Sequence, residues 1–199
     1  MLTDRSSGRF YIFGGYSVYN SADQDTLWRF TPDSDGGGDG AWSSRTPADP
    51  DMFQGMQRTH SAAVVSTADA GFMFGGKVSD EMGRHTHENA IGFVSYNFTT
   101  REWTERKGDT DTPYSQDGSV WGADAVYVEK YGPEGMIFIL GGVMRHLDSA
   151  QGYMDWGTLW FYDIGSQTWH SQATTGDDVP GDRSPHCAVG VAGNDTFEM

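Results

Sequence analysis

The side chains able to do chemistry are few and scattered along the chain. His85 and His87 flank a single threonine, with Glu81 and Glu88 close by. On a strand, positions i and i+2 share a face, so two imidazoles at that spacing could grip a metal ion; in a loop the pairing means little. His186 stands beside Cys187, the one cysteine. Nothing nearby supplies a second catalytic partner, so the sequence predicts a buried, inert thiol in an apolar strand. His60 and His186, accompanied by Arg58 and Arg183, read as side chains that hydrogen-bond turns and backbone carbonyls between structural units. "GGGDG", residues 36–40, has neither the following Lys-Ser/Thr nor the helix of a phosphate cradle, and reads as a flexible turn. These residues lead us to expect no catalytic group, no metal site and no cofactor.

Bulk composition narrows the partners. Thirteen basic residues against 28 acidic ones, in a chain of 199, leave a net charge of −15. That balance disfavours nucleic acid and anionic membrane surfaces. No run approaches the roughly 18 apolar residues of a membrane span. The opening "MLTDRSSGRF" does not resemble a signal peptide, because Asp4 and Arg5 interrupt it early. A single cysteine excludes an internal disulfide framework and leaves the compartment open.

What must position any functional residue is a repeat. Three apolar runs end in a glycine doublet: "YIFGG", "GFMFGG" and "IFILGG", closing at Gly14–Gly15, Gly75–Gly76 and Gly141–Gly142. A tryptophan follows 27 residues after each doublet, at Trp42, Trp103 and Trp169. Between them lie "LWRF", "FVSY" and "LWFY", ending at Phe30, Tyr96 and Tyr162. Short β-prone runs precede the second and third doublets and close the chain: "RTHSAAVV", "WGADAVYV" and "RSPHCAVGV". No sustained helical period occurs. Four short antiparallel strands per unit are expected. The doublet strand, apolar on both faces, belongs between neighbouring sheets, and its glycines let another backbone approach. The recurring tyrosine and tryptophan rings are expected to fill the gaps between sheets.

These residues resemble the kelch repeat, whose pattern is an Arg/His strand, an apolar strand ending Gly-Gly, and a spaced Tyr and Trp at a period of about 50 residues. The match spans almost the whole chain and is closest in "RSPHCAVGV", "IFILGG" and "LWFYDIGSQTW". Departures are Phe30 for tyrosine, Trp121 for histidine, and doublets spaced 61 and 66 residues apart. The resemblance implies an all-β β-propeller of four-stranded antiparallel blades. The units run over about 9–45, 58–106 and 121–172, with the start of another blade at 183–199. The first unit is expected to begin at its second strand and the ring to be incomplete, with self-association through open blade edges.

In such units the long connections, 16–26, 77–90 and 143–157 among them, fall on one rim, where binding residues usually accumulate. The candidates are Tyr16, Tyr19, Arg84, His85, His87, Arg145, His146, Tyr153 and Trp156. Aromatic and arginine side chains of this kind dominate the energetics of protein interfaces. The expected function is a protein-interaction module presenting those loops to a protein partner. The alternative is part of an enzyme on the same scaffold, similar to galactose oxidase, whose cysteine-tyrosine and copper-ligand set cannot be assembled from the residues present. Two glycosylation sequons, at Asn97 and Asn194, fall in turns on the opposite rim.

Overall fold

The structure, a computed structural model, describes residues 1–15, 26–34, 38–79, 85–106, 119–145, 151–193 and 196–198. Among these residues it is all-β apart from one short helix, and its framework is three four-stranded antiparallel sheets. The N-terminal sheet orders Leu2–Asp4, Arg9–Ile12, Leu27–Pro32 and Gly40–Arg45. The middle sheet orders Ala63–Ser66, Ala70–Phe74, Phe93–Asn97 and Trp103–Arg106. The C-terminal sheet orders Asp124–Val128, Met136–Leu140, Thr158–Asp163 and Thr168–Ala173. A two-stranded hairpin, Val191–Ala192 with Phe197–Glu198, follows.

The first sheet corrects the sequence reading, which began the unit at its second strand. Leu2 pairs with Tyr11 and Asp4 with Arg9, so the segment before Arg9 supplies a full outer partner. Leu2 is buried and abuts Gly71, whose missing side chain leaves the room for it. Asp4 closes the turn by accepting from the Ser6 hydroxyl and the Ser6 and Ser7 amides. Burial raises its carboxyl pKa, but those hydrogen bonds outweigh it and hold the group below its ordinary value. A strand of three residues is too short to show an alternation in the sequence.

Corresponding residues occupy corresponding places in all three sheets. Phe30 pairs with Trp42, Tyr96 with Trp103, and Tyr162 with Trp169. Period-2 alternation gives each sheet two faces. One carries the aromatic pair with Phe10 and Ile12, Gly71 and Met73, or Ile137 and Ile139. We call it the backward face, because in the middle and C-terminal sheets it packs on the preceding sheet. The forward face carries Tyr11 and Phe13, Phe72 and Phe74, or Phe138 and Leu140. One core joins Tyr11, Phe13 and Leu27 to Met73, Tyr96 and Trp103. The next joins Phe72, Phe74 and Phe93 to Ile137, Ile139 and Tyr162, with Trp169 against it. The doublet strand of the middle sheet therefore buries both its faces. The six-residue helix Pro50–Gly55, capped by Asp49 accepting from the Met52 amide, sets Phe53 into the first core. It is too short to show a helical period.

The glycine doublets stitch neighbouring units together. The second glycine of each donates its N–H to a backbone carbonyl of the following unit's lead segment: Gly15 to Thr59 (2.9 Å), Gly76 to Val120 (2.7 Å) and Gly142 to Arg183 (3.1 Å). The first glycines have φ of +65°, +58° and +56°, and a Cβ on Gly75 would stand 2.1 Å from the Val120 oxygen. Only glycine combines that backbone conformation with that approach.

Candidate functional site

Past the second and third doublets the chain does not run as loose loop. In the segments read as loops 77–90 and 143–157, hairpins form and pair with the lead of their own unit. Thr59–His60, Lys77–Ser79 and His85–Asn89 make one three-stranded sheet; Val120–Trp121, Val143–Arg145 and Gln151–Tyr153 make another. Each hairpin is closed at its base by the second glycine's carbonyl, Gly76 accepting from Ala90 (2.9 Å) and Gly142 from Met154 (3.0 Å). The Lys77 ammonium lies 3.9 Å from the centre of the Trp121 ring and ties the two rim sheets together. The connection 43–57 is likewise not all loop, since its strand runs on to Arg45 and its helix follows.

Of the candidate rim residues, Tyr16, Tyr19, Arg84 and His146 lie outside the described residues. His85, His87 and Arg145 have their backbones in rim strands, and their side chains lie outside the description. Tyr153 pairs with Val143 at the end of the second hairpin and is 53% exposed. Trp156, three residues on, turns inward. Its ring packs edge-on against His186, with centroids 5.6 Å apart, and its carbonyl accepts from the Thr174 hydroxyl at 2.8 Å.

Trp156 lines a cleft of about 530 Å³ with Leu140, Leu159, Arg183, His186 and Cys187. Three polar atoms there, the Trp156 indole nitrogen and both His186 ring nitrogens, are shielded from solvent and have no hydrogen-bond partner among the described residues. Buried polar atoms are normally paired, so a cleft of mixed apolar and polar lining with orphaned polar atoms fits an occupant carrying hydrogen-bonding groups. His186 thus does not hydrogen-bond a turn as the sequence suggested. Its ring is instead pressed against the bare backbone of Gly141, where a Cβ would come within 2.5 Å of it.

One further expectation is corrected. Cys187 is exposed, and residues 183–190 form no strand. Neighbouring Ala188 turns toward the C-terminal sheet, so the thiol beside it turns out. Arg58 and Arg183 do hydrogen-bond backbone carbonyls of the connections between units, as the sequence suggested. Arg58 donates to Phe53 and Met56 of the connection just before it while stacking over the Phe13 and Phe53 rings, at 4.8 and 4.7 Å. Arg183 reaches Gly181 at 3.2 Å. His60 does contact the adjacent Ser61 hydroxyl, at 3.1 Å.

The cleft was hidden from a search of loops alone, because half of it comes from the segment opening the next unit. The adjacency of "RSPHC" to an already suspected rim was the available signal. Among the described residues no three His, Cys, Asp or Glu side chains gather as a metal-binding group, and no helix is long and apolar enough to cross a membrane. No protein-family model matches the chain, and no curated protein matches it.

Proposed function

We propose that the chain is a kelch-type propeller segment that binds a protein partner on the rim built from its two post-doublet hairpins. The repeated sheet order, the equivalent aromatic pairs and the thrice-used doublet bond support the blade reading. The observation that carries the binding reading is the Trp156–His186 cleft with its orphaned polar atoms, formed three residues beyond the exposed Tyr153 of the second hairpin. An aromatic held on a rigid edge next to a concave, partly polar pocket is the usual make-up of an interface anchor point. The acidic balance of the chain favours a neutral or basic partner surface.

The test places a photo-crosslinking amino acid at position 153 and, separately, at Thr99 on the opposite rim, in extracts of the source cells. The reading expects one protein crosslinked from 153 and not from 99, its yield falling at least about tenfold when Trp156→Ala is added. Equal capture from both positions, or capture indifferent to Trp156→Ala in a folded variant, overturns it.

A further inference from the structure

In a chain this acidic, the junction between the N-terminal and middle sheets gathers arginines. On the forward face of the N-terminal sheet Arg29 pairs with Tyr11 and Arg45 with Leu27, and Arg9 stands two residues before Tyr11 on its strand. Arg29 is thus the diagonal neighbour of both Arg9 and Arg45, at the roughly 7–8 Å spacing that long side chains span. The Nε atoms of all three are shielded from solvent and have no hydrogen-bond partner among the described residues, and neither has the Thr31 hydroxyl on the same face. Asp4, across from Arg9 in the register, gives its carboxylate to Ser6 and Ser7. Glu105, which the middle sheet turns to the same gap beyond Trp103, has an interaction of its own.

The next junction shows the same positions paired. Arg106 follows Trp103 by three residues, as Arg45 follows Trp42, and it hydrogen-bonds the Gln167 side chain across the gap to the C-terminal sheet. Gln167 and Arg101 are also equivalent: each lies two residues before its tryptophan, in the turn between third and fourth strands, at φ +59° and +66°. Where the second junction has an arginine donating to an amide, the first therefore sets arginine against arginine. The backbone holds them close, since the Ala48 N–H, three residues past Arg45, donates to the Arg101 carbonyl at 3.2 Å. Burial pushes the Tyr96 hydroxyl up while Arg101 and Arg45 both pull it back, so the two guanidinium groups bear on one phenol. Like charges brought together without a counter-charge repel, and an anion held between them removes that cost.

We propose that this junction is a binding site for a tetrahedral oxyanion, a phosphate or sulfate group, held between Arg45 of the N-terminal sheet and Arg101 of the middle sheet with Arg29 behind them. Guanidinium forks take such oxygens two at a time, and a doubly charged group with four oxygens can answer several forks at once, where a carboxylate answers one. The bound group ties two units together, so binding is read as added stability. The inference stands apart from the rim reading, which involves other residues.

Thermal melting of the full chain, followed by circular dichroism, tests it with inorganic phosphate and inorganic sulfate, each against sodium chloride of equal ionic strength. Wild type should gain about 4 °C once the ion stands about tenfold over its dissociation constant. Arg101→Gln installs the side chain found at the equivalent position 167, at a φ that glutamine already adopts there. It should melt above wild type without the ion and lose the response to it. Arg45→Gln, which reads the site from the other sheet, should lose the response as well. Arg106→Gln, at the second junction, should keep it, which separates a site from a general salt effect. Phenyl phosphate tells the sources apart: a larger shift than inorganic phosphate gives means that the group arrives on a bigger molecule, an equal shift that the free ion is bound, and either sustains the site. A wild-type shift no larger than that in chloride, or an undiminished response in Arg101→Gln or Arg45→Gln, overturns the inference.

Discussion

Replacing Gly75 by alanine puts the unit junction to its sharpest test. The residue sits at φ +58°, and an ideal Cβ would lie 2.1 Å from the Val120 carbonyl oxygen and 2.8 Å from the Val120 nitrogen. Both atoms are backbone, so neither can swing aside; one strand must retreat by about 1 Å to restore ordinary contact. The hydrogen bond from the Gly76 N–H to that same oxygen, 2.7 Å long, is lost in the retreat. Left-handed strain costs about 1 kcal/mol, and the broken buried bond with its loosened packing about 2 kcal/mol. Reduced freedom of the unfolded chain returns about 0.5 kcal/mol, for a net loss near 2.5 kcal/mol. Gly8→Ala is the control. Its φ is +66°, yet the nearest atom to a Cβ is the Pro32 Cγ at 3.5 Å, so only the strain applies and the loss stays under about 1 kcal/mol. Urea unfolding, followed by tryptophan fluorescence at about 1 µM protein to hold association constant, should separate the two midpoints by about 0.8 M. Coincident midpoints would mean that the doublet answers to backbone conformation alone and not to the approach of the next unit.

The equivalent tryptophans should differ in worth. Trp103, 4% exposed and wedged among Phe13, Phe53 and Tyr96, should cost about 3–5 kcal/mol on truncation to alanine, whereas half-exposed Trp42 should cost under about 1 kcal/mol at protein concentrations where the chain is monomeric; similar losses refute the burial argument. Burial, with the Tyr11 ring beside it, pushes the Tyr96 hydroxyl up to about 12 from 10.0. The unfolded chain thus gives up that proton first, and the stabilisation is whole below pH 10 and lost as pH climbs through 12. Wild type should accordingly lose up to about 3 kcal/mol more than Tyr96→Phe across that window, and parallel stability curves would refute it. Exposed Cys187 should react with a thiol reagent in the native protein as completely as in denaturant, a result that a protected thiol would reverse.

Much of the framework was legible because it is local and repeated. A sandwiched strand must be apolar on both sides, and a chain crossing near another backbone must be glycine, so "FMFGG" announced its surroundings without any partner in view. The recurring tryptophan marked the fourth strand of each unit, and the register sets it opposite an aromatic of the third. Leu2–Asp4 was not legible, because three residues cannot display a period and its pairing depends on Gly71 giving space sixty-odd residues away. The rim hairpins were missed for a related reason. Their strands are short and polar, and they form because Gly76 and Gly142 present carbonyls that clamp their bases.

The sequence by itself determined the repeat, the four-stranded unit and the residues that must be buried or bare, since each follows from the side-chain alternation of a strand and the space a Cβ needs. Tertiary structure alone decided which copies of a motif are equivalent in surroundings and which are not. Trp42 and Trp103 occupy one position in the pattern, yet one is exposed and the other enclosed, because enclosure depends on whether a sheet lies next door. Likewise His186 and Trp156 meet across thirty residues of chain, and only the path of the backbone around the C-terminal sheet brings them to a common cleft.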